Sequence, residues 1–123
     1  APNARFRVLS GLKSVGRTGK MRVRVSLDEP GVAVFSPILR PGRQTKAARR
    51  AHPGAKYSRR PVHFPTAALA FRRDGALTVT IRLSRRVQRR LGRARDGRMA
   101  LSVITADLSR NQSASRQKKH LHR

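Results

Sequence analysis

The sequence predicts an all-β sandwich of about seven strands, with one short helix between two late strands and one long basic loop. Three observations carry that expectation. Apolar and polar residues alternate in short runs; Gly, Pro and Asp turn signals recur between the runs; and only one stretch has the i, i+4, i+7 apolar spacing of a helix face. At 123 residues the chain is one domain, residues 1–123, with enough length for a single core.

Taken in order, Arg5-Phe6-Arg7-Val8-Leu9 reads as the first strand, and Lys13 to Gly19, with Gly16 and Gly19, as a turn. The cleanest strand follows, with Met21, Val23, Val25 and Leu27 on one face and Arg22, Arg24 and Ser26 on the other. Asp28-Glu29-Pro30-Gly31 has the chemistry of a tight turn. Val32 to Phe35 restarts a strand that should end near Pro37, because proline is confined to sheet edges and strand ends. Residues 40–60 hold eight cations and no acid, with little apolar patterning, and read as a basic loop that orders on its partner. One or two short strands are expected over Val62 to Phe64 and Ala67 to Phe71, closed by the turn Arg72-Arg73-Asp74-Gly75.

In Ala76 to Leu83 every second residue is apolar, the period of a strand with one wet face. Met99 to Ala106 is apolar enough on both faces to be the more central strand. Between them Ser84 is placed as an N-cap, and Val87, Leu91 and Ala94 mark one helix face. The other faces are mostly arginine. Arg85 and Arg89, Arg86 and Arg90, and Arg89 and Arg93 are like-charged i, i+4 pairs, each costing roughly 0.2–0.5 kcal/mol in an isolated helix. Packing of Val87 and Leu91 would support this helix, and so would anions between the arginines. After the turn Asp107 to Asn111, residues 112–123 form a polar, basic last strand and tail, suited only to a sheet edge.

Thirty Lys and Arg against five Asp and Glu give a net charge of +25, and the only acids are Asp28, Glu29, Asp74, Asp96 and Asp107. Such self-repulsion costs stability unless a polyanion neutralises it. There is no cysteine, which excludes disulfides and thiolate metal sites, and no apolar run long enough to span a membrane. The Ala1-Pro2 start is what signal-peptide removal leaves, or trimming of a longer chain.

Catalytic chemistry has no foothold. Asp28 and Glu29 are turn neighbours whose side chains diverge, and the other acids sit beside turn signals where aspartate bonds its own backbone. His120 and His122 lie among Lys118, Lys119 and Arg123, a repulsive setting for a metal without an evident third ligand. No catalytic residue, metal site or cofactor is expected. The basic clusters carry the signal, because arginine's planar fork grips phosphate oxygens bidentately and can track a backbone without reading bases. The candidate contacts are Arg40, Arg43, Lys46, Arg49, Arg50, Lys56, Arg59 and Arg60 in the loop, with Tyr57 as its one stacking aromatic. Arg85, Arg86, Arg89, Arg90 and Arg93 in the helix, and Lys118 and Lys119 in the tail, complete the set.

Three segments resemble the arginine-rich Ig-like domains of secreted and surface proteins of actinobacteria. Met21 to Val34 resembles that family's strand, Glu-Pro turn and strand; Leu77 to Arg95 resembles its Thr-Val-Arg-Leu-Ser strand and arginine helix; Ser102 to Asn111 resembles its Val-Thr-Ala-Thr-Asp ending. The likeness covers most of the chain outside 40–60. It departs at Leu27 and Gly31, where the family often has cysteines, at Arg110, where it has glycine, and in a last strand without Val and Thr alternation. The resemblance implies an Ig-like β-sandwich, an extracellular or cell-surface location and a non-enzymatic role. With the charge, it leads to the expectation of a polyanion binder, DNA first, coating the polymer as a homo-oligomer or filament. Two alternatives stay open. One is a structural or adhesive subunit of a surface matrix that assembles by β-strand addition or attaches to an acidic cell-wall polymer. The other is an intracellular nucleoprotein component.

Overall fold

The structure is a computed structural model that describes residues 3–54 and 56–123; the Ala1-Pro2 start lies outside the described residues. The elements are β1 (Ala4–Val8), α1 (Leu12–Thr18), β2 (Lys20–Leu27), β3 (Gly31–Pro41), α2 (Lys46–Ala51), β4 (Val62–His63), β5 (Ala67–Phe71), β6 (Gly75–Arg82), α3 (Arg85–Gly92), β7 (Gly97–Asp107) and β8 (Gln112–Leu121). They build an all-β, sandwich-like fold with short helices. One sheet has the order β1-β2-β6; the other runs β4-β3-β7-β8, with β5 also paired to β3. Every strand pair is antiparallel.

Alternation decides which residues enter the core. Met21, Val23, Val25 and Leu27 of β2 meet Phe35, Leu39, Met99, Leu101 and Val103 of the facing sheet, all almost fully buried. Phe6 and Phe35 cross between the sheets edge to face, with ring centroids 5.2 Å apart. Each fully buried Val, Leu, Phe or Met contributes about 1.5–3 kcal/mol. β7 is an inner strand of its sheet, as its two-sided apolar pattern predicts, and so is β3. β6 is an edge strand, and its inward face is only half covered: Leu77 stays 43% exposed.

Three expectations change. Leu12–Thr18 is a helix, not a turn, ended by Gly19 at φ 71, whose N–H bonds Val15 O at 2.8 Å. Gly16 does not break this helix because it is where α1 meets α3: a Cβ there would collide with the Cα of Gly92. Second, β3 continues through Pro37 to Pro41. Pro37 is in register with Leu101, and its carbonyl accepts from Phe64 N on the opposite side, in the gap between β4 and β5. N and C=O of a strand residue point the same way, so the missing N–H falls in that gap and removes no bond to β7. Third, 40–60 is not a bare loop. It carries the end of β3, helix α2 capped by Thr45, whose Oγ1 accepts from Ala48 N, and a bridge between Gln44 and Ala94.

The registers sort the connections to two ends. Leu27, Gly31, Phe71, Gly75 and Asp107 share one end, joined by tight turns. Lys20, Arg40, Arg82, Arg98 and His120 share the other, which α1, α3 and the 42–60 segment cover.

Candidate polyanion-binding site

At the helical end, Leu12 and Val15 of α1 and Leu91 and Ala94 from α3 and its C-terminal extension are fully buried. That apolar face is what the i, i+4, i+7 spacing supplies. Ser84 caps α3, accepting from Val87 N at 3.3 Å, and Gln88 Nε2 donates to Gly16 O at 3.0 Å. At the other terminus Arg123 Nη1 donates to Gly92 O at 2.7 Å and Ala94 O at 2.9 Å, a cation on the carbonyls where the helix dipole is negative. With one face in the core and both ends tied, α3 turns its remaining arginines to solvent.

The segment after α2 lies against these arginines. Arg90 Nη1 donates to Ser58 Oγ at 3.2 Å and Nη2 to Arg60 O at 3.0 Å, while Tyr57 OH donates to Gly42 O at 2.7 Å. Burial raises the Tyr57 pKa, against the lowering effect of Arg59 and Arg90, so the phenol keeps its donor proton at neutral pH. Between α3 and this segment runs an open groove of about 1000 Å³, lined by Lys56, Tyr57, Ser58, Arg60, Arg86, Val87, Arg89, Arg90 and Arg93. Six of these side chains are cations and none is acidic. Arg90 Nε is buried without a partner, although buried donors are nearly always bonded.

The predicted contacts therefore divide. Lys56, Tyr57, Arg60, Arg86, Arg89, Arg90 and Arg93 come together in the groove. Arg90 is partly committed to holding the segment in place, and Tyr57 spends its hydroxyl on Gly42 while its ring lines the groove. Arg40, Arg43 and Arg59 line a second hollow of about 590 Å³ with Arg95, Arg98, His120 and the single acid Asp96. Lys46, Arg49 and Arg50 sit exposed on α2, and Arg85 is exposed on the first turn of α3, outside both hollows. Lys118 and Lys119 point to opposite faces of β8, since Lys118 pairs with Ala100 on the outer face and Lys119 with Met99 on the inner one. Arg95, Arg98 and His120 line the second hollow without being among the predicted contacts; His120 is brought there by its pairing with Arg98, which is paired in turn with Arg40. Its ring centroid lies 4.7 Å from that of His122, and among the described residues no three His, Cys, Asp or Glu come together as a metal site.

No protein-family profile and no curated protein matches the chain. Among solved structures it is similar to that of a Bordetella pertussis protein provisionally named ApaA, at 10% identity and a TM-score of 0.40, over 99% of this chain and 91% of that one. No helix among the described residues is long and apolar enough to cross a membrane.

Proposed function

We propose that this chain is a non-enzymatic polyanion-binding module that holds DNA, independently of sequence, along the arginine-lined groove beside α3. The observation that carries the reading is the groove's lining: six cations, one tyrosine ring and no carboxylate, in a chain with a net charge of +25. Arginines in this setting grip phosphate oxygens, and the groove offers no row of amides or carboxylates to read base edges. The resemblance to actinobacterial surface domains extends the reading to a secreted or surface protein, and side-by-side binding along one duplex would make a coat.

Titration with duplexes of unrelated sequence tests this. Binding should be equal across sequences and, with six to ten phosphates engaged, fall roughly 10³–10⁵-fold between 50 and 200 mM salt. Absence of binding at low salt would overturn the reading.

The runner-up is a matrix subunit that assembles by strand addition through β8, a ten-residue edge strand. Arg116, Lys118 and Lys119 along that strand oppose it, because charge on an edge strand blocks edge-to-edge pairing.

A further inference from the structure

Every charged side chain on the outer face of the β1-β2-β6 sheet is basic. Core alternation turns Met21, Val23 and Val25 inward and so turns Lys20, Arg22 and Arg24 outward, where all three are exposed. Pairing adds Arg5 and Arg7 from β1 and Arg82 from β6, also exposed. The remaining outward positions are short: Ser26, Ala76, Thr78 and Thr80. No acidic residue lies on any of the three strands.

This arrangement works against folding. Arg7 stands directly opposite Arg24, and Lys20 directly opposite Arg82. Like charges facing each other across a ladder are destabilising. In the described structure no hydrogen bond from these six side chains offsets that repulsion. Neighbouring outward residues lie about 6.8 Å apart along a strand and about 4.8 Å across strands, so the cations form a flat lattice rather than a pocket. A lattice of this kind is complementary to an extended line of phosphates and too shallow for a small ligand. None of its residues lines the groove at α3.

We infer that this sheet face is a second phosphate-polymer contact surface, so that one molecule holds two duplex segments, one in the groove and one on the sheet. The inference rests on the groove reading above for its first duplex only. A protein with two such surfaces bundles DNA rather than only coating it.

The test uses the full chain with two short duplexes of about one helical turn each, 10 base pairs, one carrying a donor and the other an acceptor fluorophore. Sedimentation gives the number of duplexes per protein, and energy transfer reports that both occupy one complex. The wild type should carry two duplexes per monomer and show transfer. Arg7→Gln/Arg22→Gln/Arg24→Gln should carry one and lose transfer, with a melting temperature equal to or above that of the wild type, because the Arg7–Arg24 repulsion is removed. A charge-matched control at the turns, Arg72→Gln/Arg73→Gln/Arg110→Asn, should keep both. The inference is overturned if the sheet variant still joins two duplexes, if the control loses transfer equally, or if the wild type carries a single duplex; that last result leaves the groove reading intact. Failure of the wild type to bind any duplex overturns both.

Discussion

The two ends of the sandwich are built from the same strands and differ in almost everything else. At one end, tight turns hold four of the five acids: Asp28 and Glu29 after β2, Asp74 before β6 and Asp107 at the close of β7. At least two of these acids are occupied with backbone. Asp28 Oδ1 accepts from Asn3 N at 2.6 Å, and Asp107 Oδ1 accepts from Ser109 N and Asn111 N, each at 2.9 Å. At the other end, two packed helices and a long segment display arginines around Asp96 alone. The lesson is that Asp28 and Asp107 serve as turn hardware. The helical end keeps its arginines with Asp96 as the one acid beside them.

The largest effect that would break this contrast concerns α3. Arg86→Gln/Arg89→Gln removes two groove cations and should lower duplex affinity by roughly tenfold or more and reduce the salt slope by about 2. The same change removes three like-charged i, i+4 pairs, so thermal stability should rise, on the order of 0.5–1 kcal/mol. Arg72→Gln/Arg73→Gln at the turn end removes equal charge and should leave affinity within about threefold. Equal losses from both pairs, read by fluorescence titration, would erase the distinction between the ends.

Next comes the helix contact. Gly16→Ala forces α1 away from Gly92 and should destabilise by about 1–3 kcal/mol, measured by chemical denaturation. Binding should weaken with it, since α1 braces the helix that carries the groove.

A smaller effect of opposite sign is expected at the turn end. Arg110 is the one non-glycine residue with positive φ among those described, at 65°. Left-handed backbone costs a side-chain-bearing residue about 1–2 kcal/mol, part of which returns as glycine's extra freedom when unfolded. Arg110→Gly should therefore stabilise the fold by roughly 0.5–1 kcal/mol without changing affinity beyond that of one lost distant charge.

The smallest effect concerns acid. The hydrogen bond from the Asn111 backbone has the largest effect on the Asp107 pKa and lowers it; desolvation opposes it, and the Asn111 side chain and the Ser109 backbone lower it further, so it lies below its usual value. A lowered folded pKa means the contribution is complete above the unfolded value near 3.9 and is lost as pH falls through the folded one. Asp107→Asn should narrow the difference in melting temperature between neutral pH and pH of about 3; an unchanged difference would show that the turn does not depend on the charge.

How much of this was legible in the sequence follows from the range of the forces involved. The strands were, because alternation is a local record of which side meets the core: Met21 to Leu27 and Met99 to Ala106 lie in strands as read. Helix α3 was, because Ser84, Val87, Leu91 and Ala94 carry cap and buried face within eleven positions. Helix α1 was not. Its two glycines look like turn residues until Gly92, seventy-six positions later, is seen resting on one of them. Pro37 misled for the same reason, since its harmlessness depends on a gap left by β4 and β5. The groove's cations were legible as two clusters, but their meeting depends on Arg90 reaching Ser58 and Arg60. The sheet face escaped notice because its six cations come from three strands that only pairing brings side by side.

The uneven distribution of acids would also govern how the molecule meets the polyanion proposed above. A body whose few negative groups gather at one pole experiences a torque in the field of a charged polymer, so it rotates during approach and arrives helices first. Encounters would then be fast at low ionic strength and slow steeply as added ions shorten the reach of that field to about 10 Å at 0.1 M.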